Sequence, residues 1–168
     1  QAYPMCKNAI DALEKFHFTS SVPFTSQENM KNFLTHESYD LWEMHEGIHL
    51  YSMSAIYGAY IAMIEIEKII ENKNNDIEIL SKEIKEYCRE HLWNKEERTL
   101  KRSNKDSICD ISMLGAVTPF NMIEESEKEV LNTIEKMNMT LRTYTGGYIR
   151  FENDNYMGGN NPWPIATL

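Results

Sequence analysis

Apolar positions recur at helical spacing along most of this chain, and the width of the apolar face changes from segment to segment. From Pro4 to about Phe18, Ile10, Leu13 and Phe16 recur at three-residue spacing, with Pro4 suited to a first helical turn, which predicts a helix. A polar loop around Pro23 spans Thr19 to Ser26, and Ser26 is a candidate N-cap for a short helix over Gln27–His36. Glu37 to Glu46 has no period. From Gly47 to about Glu71 the chain is apolar nearly all round until Glu65, the pattern of a buried helix. Gly58 interrupts it at about 1 kcal/mol relative to Ala, tolerable where another element packs closely. After a linker at Asn72–Asn75 and a candidate cap at Asp76, Ile77 to about His91 carries Ile77, Leu80, Ile84, Tyr87 and Cys88 on one face. Charges fill the other face, so this reads as an outer, half-solvated helix.

Trp93 to Arg102 is charged and irregular, the signature of a small hairpin. Ser107–Val117 predicts a short apolar helix closed by Pro119. Glu124–Asn138 is amphipathic, with Val130, Leu131, Ile134 and Met137 as its expected core face and Glu124, Glu125 and Glu127 suiting the helix dipole. Thr140–Asn161 is not helical: Tyr148–Phe151 reads as a short strand, and Gly146-Gly147 and Gly158-Gly159 as turns. Pro162 opens a last apolar segment as its first helical residue. The sum is a mostly helical chain of alternating buried and amphipathic helices, with its polar and aromatic residues concentrated in two loops.

Composition narrows the function. The 168 residues correspond to about one domain by length, and 42% hydrophobic with 26% charged residues is a globular composition. A net charge of -9 gives no basic footprint for nucleic acid. No apolar run reaches the roughly 18 residues of a membrane span. Cys6, Cys88 and Cys109 form neither a disulfide framework nor a paired metal motif and favour a reducing, cytoplasmic-type compartment.

Three segments are candidates for chemistry. His45-Glu46-Gly47-Ile48-His49 matches H-E-x-x-H, in which two His on one helix face hold zinc and the Glu acts as base. A Gly inside the motif and the missing G-x-x-H continuation argue instead for a loop-to-helix junction. In Asp40-Leu41-Trp42-Glu43 a carboxylate stands beside an indole. A general acid must be protonated to donate, an apolar neighbour favours that form, and the ring suits stacking on a sugar; the alternative is a helix-cap cluster with an aromatic anchor. The loop Arg150–Trp163 is rich in Asn, acids, Gly and aromatics, a composition that suits a polyol ligand or a structural glycine turn. Glu43 and Glu152 are far apart in sequence. Facing each other across a pocket they would serve glycoside hydrolysis, with the carboxyls roughly 6.5–9.5 Å apart for inversion and about 5–5.5 Å for retention.

These residues resemble glycoside hydrolase family 15, the glucoamylases and their glucodextranase and trehalase relatives. The resemblance rests on Asp40-Leu41-Trp42-Glu43, on Gly47-Ile48-His49-Leu50-Tyr51 leading into an Ala- and Tyr-rich helix, and on Asp110–Leu114 followed by Pro119-Phe120. It rests also on the closing Arg150–Gly159 with Pro162-Trp163 and Thr167-Leu168. It implies an all-α fold, the C-terminal portion of an (α/α)6 barrel (a six-hairpin toroid) of alternating inner and outer helices. Gly47–Ile64 would be an inner helix and Ile77–His91 an outer one. It implies an inverting, exo-acting hydrolase without cofactor or metal, releasing glucose from the non-reducing ends of α-glucans or α-glucosides. Glu43 would be the general acid and Glu152 the general base, with Asp154 close enough to compete for that role. Trp42 and Trp163 would wall the glucose subsite, with Asp40, Arg150, Asp154 and Tyr156 as polar contacts. Many members carry a second acid where this chain has Met44, so the contact to the leaving sugar is expected to differ. Rival readings are a non-catalytic sugar-binding or regulatory barrel domain and the H-E-x-x-H zinc protease. Twelve helices of about 11–12 residues do not fit in this length. Residues 1–168 are therefore expected to be a single partial domain, roughly the C-terminal half of the barrel. Such a piece is expected to be inactive alone and to self-associate through an exposed apolar face.

Overall fold

In the computed structural model, residues 2–17, 37–71 and 75–167 are described. The expected loop Thr19–Ser26 and helix Gln27–His36 lie outside them, as do residues 72–74 of the expected linker Asn72–Asn75; the helix expected after the cap Asp76 begins at Asn75 instead. Helices α1 (Tyr3–His17), α2 (Leu50–Ile69), α3 (Asn75–His91), α4 (Lys128–Thr140) and α5 (Pro164–Thr167) carry the chain, with 3-10 turns at Ile111–Ala116 and Tyr156–Gly158. Two antiparallel hairpins intervene, β1 (Ser38–Tyr39) with β2 (Glu46–Gly47) and β3 (Trp93–Asn94) with β4 (Thr99–Leu100).

The core is the seam between α2 and α3. Leu50, Met53, Ile56, Tyr60 and Met63 recur at three- and four-residue spacing and face the stripe Ile77, Leu80, Ile84 and Cys88. As expected, α3 is half-solvated, with Glu78, Lys82, Glu86 and Arg89 exposed on its other face. Burial of α2 on all sides does not: Ile61 is 37% exposed and Ile69 81%, because among the described residues only one side of this helix meets α3. Near its start α2 is crossed by the 3-10 segment. A Cβ on Gly58 would sit 3.0 Å from Phe120, and one on Gly115 only 2.6 Å from the Tyr51 ring. Both glycines mark the close approach that the interruption at Gly58 anticipates. Tyr51 and Phe120 meet edge to face there, ring centroids 5.4 Å apart.

The aperiodic stretch Glu37–Glu46 forms most of the β1–β2 hairpin. Four local expectations are corrected. The helix expected over Ser107–Val117 shrinks to Ile111–Ala116, because Asp110 is held extended in a bridge to Phe151 and Ile111 N–H donates to the Arg150 carbonyl at 2.9 Å. On α4 the buried row is Val130, Thr133 and Met137, whereas Leu131 is 55% and Ile134 39% exposed. The Thr133 hydroxyl is the reason. It accepts from Leu100 N–H at 2.8 Å and donates to the Glu129 carbonyl at 2.6 Å, fixing the helix on β4. Tyr148–Phe151 makes only isolated bridges, Arg142 with Tyr148 and Asp110 with Phe151. The last helix opens at Pro164 rather than Pro162, since Trp163 N–H is drawn to the Tyr148 carbonyl at 2.9 Å.

Gly115→Ala is expected to cost about 1–3 kcal/mol, the price of forcing a methyl against an aromatic ring in a packed seam. Gly58→Ala should cost less, because its contact is looser and Ala favours helix by about 1 kcal/mol. Urea unfolding of the two variants gives the comparison.

Candidate functional site

The site is assembled where the late loop docks on the residues before the 3-10 turn. Beyond α4 the chain reverses at Gly146, whose φ of 95° is the left-handed region that Gly supplies without strain. The return segment then pairs with Cys109–Ile111: Ile111 N–H donates to Arg150 O and Glu152 N–H to Cys109 O, both 2.9 Å. This brings Arg150 to the centre of an aromatic cluster. Its guanidinium carbon lies 4.6 Å from the Trp163 ring centroid, 5.1 Å from Tyr156, 5.2 Å from Phe151 and 5.6 Å from Trp42. Each contact is within cation–π range.

Asp154 fixes the guanidinium from one edge. Arg150 Nε and Nη2 donate to its two oxygens at 2.8 Å each, and both side chains are nearly sealed from solvent. These hydrogen bonds hold the Asp154 carboxyl below its usual range and raise Arg150 further. Asp154 also accepts from Tyr156 N–H at 3.0 Å. Nη1 of Arg150 makes no hydrogen bond among the described residues and is not fully buried. The fork therefore keeps a donor edge for a ligand.

The second loop is the turn Asp40–Met44. Asp40 N–H donates to His45 O at 2.9 Å and Glu43 N–H to Asp40 O at 3.1 Å. Asp40 Oδ1 takes Met44 N–H at 2.8 Å. Asp40 is buried and serves the backbone of this turn, so its observed role is to shape the loop. Glu43 consequently adopts φ 55°, uncommon for a non-glycine residue. Its side chain is exposed, and its carboxylate has no hydrogen-bond or ion-pair partner among the described residues.

The two loops meet through Trp42. Its Nε1 donates to Asp110, 3.2 Å from each oxygen, and Asp110 is 1% exposed. Behind it Arg102 is forked onto Asp106 at 2.9 and 2.8 Å and stands 3.6 Å from Asp110. Burial pushes the Asp110 carboxyl up; for Asp106 the same effect is outweighed by the Arg102 hydrogen bonds, and its pKa falls. Arg102 also lies 5.4 Å over Phe151, so that one ring contacts both guanidinium groups. Arg102, Asp106 and Asp110 are missing from the sequence-based site. Arg102 and Asp106 at i,i+4, and an Asp directly before an apolar turn, were the available signals.

The fold thus brings Trp42, Arg150, Asp154, Tyr156 and Trp163 together, while Asp40 is buried within its own turn. Glu152 is half-buried on the same loop, and its Oε2 accepts from Cys109 N–H at 3.3 Å. A cavity of about 540 Å³ adjoins Trp42, lined mainly by apolar groups including Leu41, Tyr51, Leu114, Tyr148 and Ile165; neither Glu43 nor Glu152 lines it. The H-E-x-x-H match is not on a helix. Glu46 and Gly47 are strand, His49 caps α2 with extended backbone, and its Nε2 lies 3.0 Å from the His45 carbonyl. The i,i+4 helical face that zinc binding requires is therefore absent.

Comparison with known proteins agrees with this architecture. No protein-family model matches the chain. An uncharacterized glycosyl hydrolase of Methanocaldococcus jannaschii is 33% identical over 135 residues, covering 77% of this chain and 22% of that protein. A glycosidase variant in complex with glucose superposes with a TM-score of 0.68 at 18% identity, over 83% of this chain and 38% of that one. The glucoamylase of Saccharomycopsis fibuligera gives 0.63 at 16% identity, over 98% of this chain and 44% of that one. The chain therefore spans about a fifth of the curated relative and under half of each of these solved structures. Its fold is all-α, part of a glucoamylase-like helical toroid.

The Arg150–Asp154 pair sets a pH dependence. Because Asp154 is depressed below its ordinary 3.8, its contribution to stability is complete above that value. It is lost as pH falls from there through the depressed pKa. Asp154→Asn leaves a buried guanidinium unpaired and should cost about 3–5 kcal/mol near neutral pH. It should also flatten the acid limb, read from thermal unfolding across a pH series.

Proposed function

We propose that this chain is part of an inverting, exo-acting glycoside hydrolase of the family 15 type, releasing glucose from the non-reducing ends of α-glucans or α-glucosides. The observation that carries the reading is the pairing of an unpartnered, outward-turned Glu43 with an arginine fork set among four aromatic rings. Aromatic faces suit the apolar faces of a pyranose, and the free edge of Arg150 suits its hydroxyls. Trp42 and Trp163 wall the subsite, with Tyr156 beside them.

Glu43 donates the proton to the glycosidic oxygen, so that the leaving sugar departs as an alcohol. A second carboxylate takes a proton from water attacking the opposite face of the ring. Between the two acids of the late loop, Glu152 suits this role better than Asp154. Both Asp154 oxygens are committed to Arg150, and its lowered pKa makes it the poorer proton acceptor. Glu152 keeps Oε1 free of hydrogen bonds among the described residues. The chain corresponds in this reading to roughly the C-terminal half of the barrel, and the apolar outer side of α2, with Ile61 and Ile69, is where further helices or a second copy would pack.

Glu43→Gln and Glu152→Gln in the intact enzyme are each expected to lower kcat by about 10²–10⁴-fold with KM largely kept. Near-normal turnover in the Glu152 variant would move water activation to another carboxylate. Near-normal turnover in the Glu43 variant would overturn the acid assignment. NMR of the first product should give β-glucose; the α anomer contradicts inversion. Binding of sugar with no hydrolysis would instead support a sensing domain.

A further inference from the structure

We infer that Asp110 is a positioning residue: its carboxyl group holds the Trp42 indole and thereby the turn that presents Glu43. The inference rests on the proposed role of Glu43, but the tether itself is independent of it.

Trp42 is adjacent to Glu43, and its indole N–H is shared between the two Asp110 oxygens at 3.2 Å each. A local role does not account for Asp110. Its Oδ1 also caps the 3-10 turn through Ser112 N–H at 2.8 Å, which a neutral Asn or Ser does equally well. What the cap does not need is a second carboxyl oxygen at 1% exposure. That oxygen faces the indole N–H at 3.2 Å and stands 3.6 Å from Arg102 Nη1. Arg102 in turn is anchored at both ends. Its fork is held by Asp106, and its carbonyl accepts Leu50 N–H at 2.9 Å, at the start of α2. Arg102 thus stands fixed at the start of α2 with its Nη1 3.6 Å from Asp110, and Asp110 is hydrogen-bonded to Trp42. The Asp40 backbone turn then leaves Glu43 little freedom, since residue 43 is fixed from both neighbours.

Asp110→Asn keeps volume and cap but turns an NH2 toward donors. The Trp42 indole N–H resonance, assigned by Trp42→Phe, should shift and exchange faster with water. In the intact enzyme kcat should fall tenfold to a hundredfold, as sub-ångström misplacement of a catalytic group does, while KM changes less than threefold. In the Trp42→Phe background Asp110→Asn should lower kcat no further. Should Asp110→Asn fail to fold, Arg102→Lys, which keeps the charge and loses the fork, should move the same resonance. An unchanged indole resonance, an unchanged kcat, or full additivity of the two substitutions overturns the proposal. Turnover retained in Glu43→Gln with a shifted indole in Asp110→Asn would fault the acid assignment and leave the tether standing.

Discussion

The bridge between Asp110 and Phe151 is the constraint on which the rest of the site depends. Its two hydrogen bonds, Ile111 to Arg150 and Glu152 to Cys109, align two segments that come from opposite ends of α4. Paired residues across such a bridge share a face. Asp110 meets Trp42, and Phe151 lies against both Arg102 and Arg150. A slip of one residue would turn Phe151 and Asp110 away and separate the two loops. The register is held by what flanks it: the Leu141–Ile149 hydrogen bond upstream and the Arg150–Asp154 fork downstream.

Around this bridge the protein buries charge, which is seldom a way to gain stability. Arg102 with Asp106 and Asp110, and Arg150 with Asp154, require desolvation that well-packed apolar groups would avoid. What the arrangement supplies is direction. A guanidinium fork admits its carboxylate in one plane, and the rings against it then have one orientation. Left-handed backbone at Glu43, Asn153, Met157 and Asn160 falls in the same two loops. Strained residues persist where surroundings over-determine them, and binding loops on a rigid helical frame are where that is useful.

The frame itself was legible. The apolar faces of α2 and α3 foretold two helices packed along one seam, and the charged run after His91 told a hairpin. Periodicity went wrong where a polar side chain took the core position: Thr133, not Ile134, is buried on α4 because a strand N–H needs its hydroxyl. It went wrong also where tertiary pairing outbid helix formation, at Asp110 and at Trp163. For the site, composition of the late loop pointed to Arg150, Asp154, Tyr156 and Trp163, since a loop dense in rings and amides has few other uses. Arg102 and Asp110 were not legible as site residues. Their role depends on a contact with Trp42 that spans much of the chain, and no local pattern encodes it.

The environments of the three acids nearest the cluster separate their chemistry. Asp154 is neutralised by a fork and so serves geometry. Asp110 is buried and accepts from the Trp42 indole and the Ser112 N–H, so that it ties the early turn to the 3-10 segment. Glu43 alone is unpartnered and turned outward, because Asp40 absorbs the backbone N–H groups that would otherwise draw its carboxylate back. Sequence proximity would have grouped Asp40 with Glu43 as a pair of reactive acids. Burial and hydrogen bonding assign them opposite tasks, one spent on holding the turn so that the other is left free. That division of labour is the physical sense in which a short acidic loop becomes a device for presenting a single carboxyl.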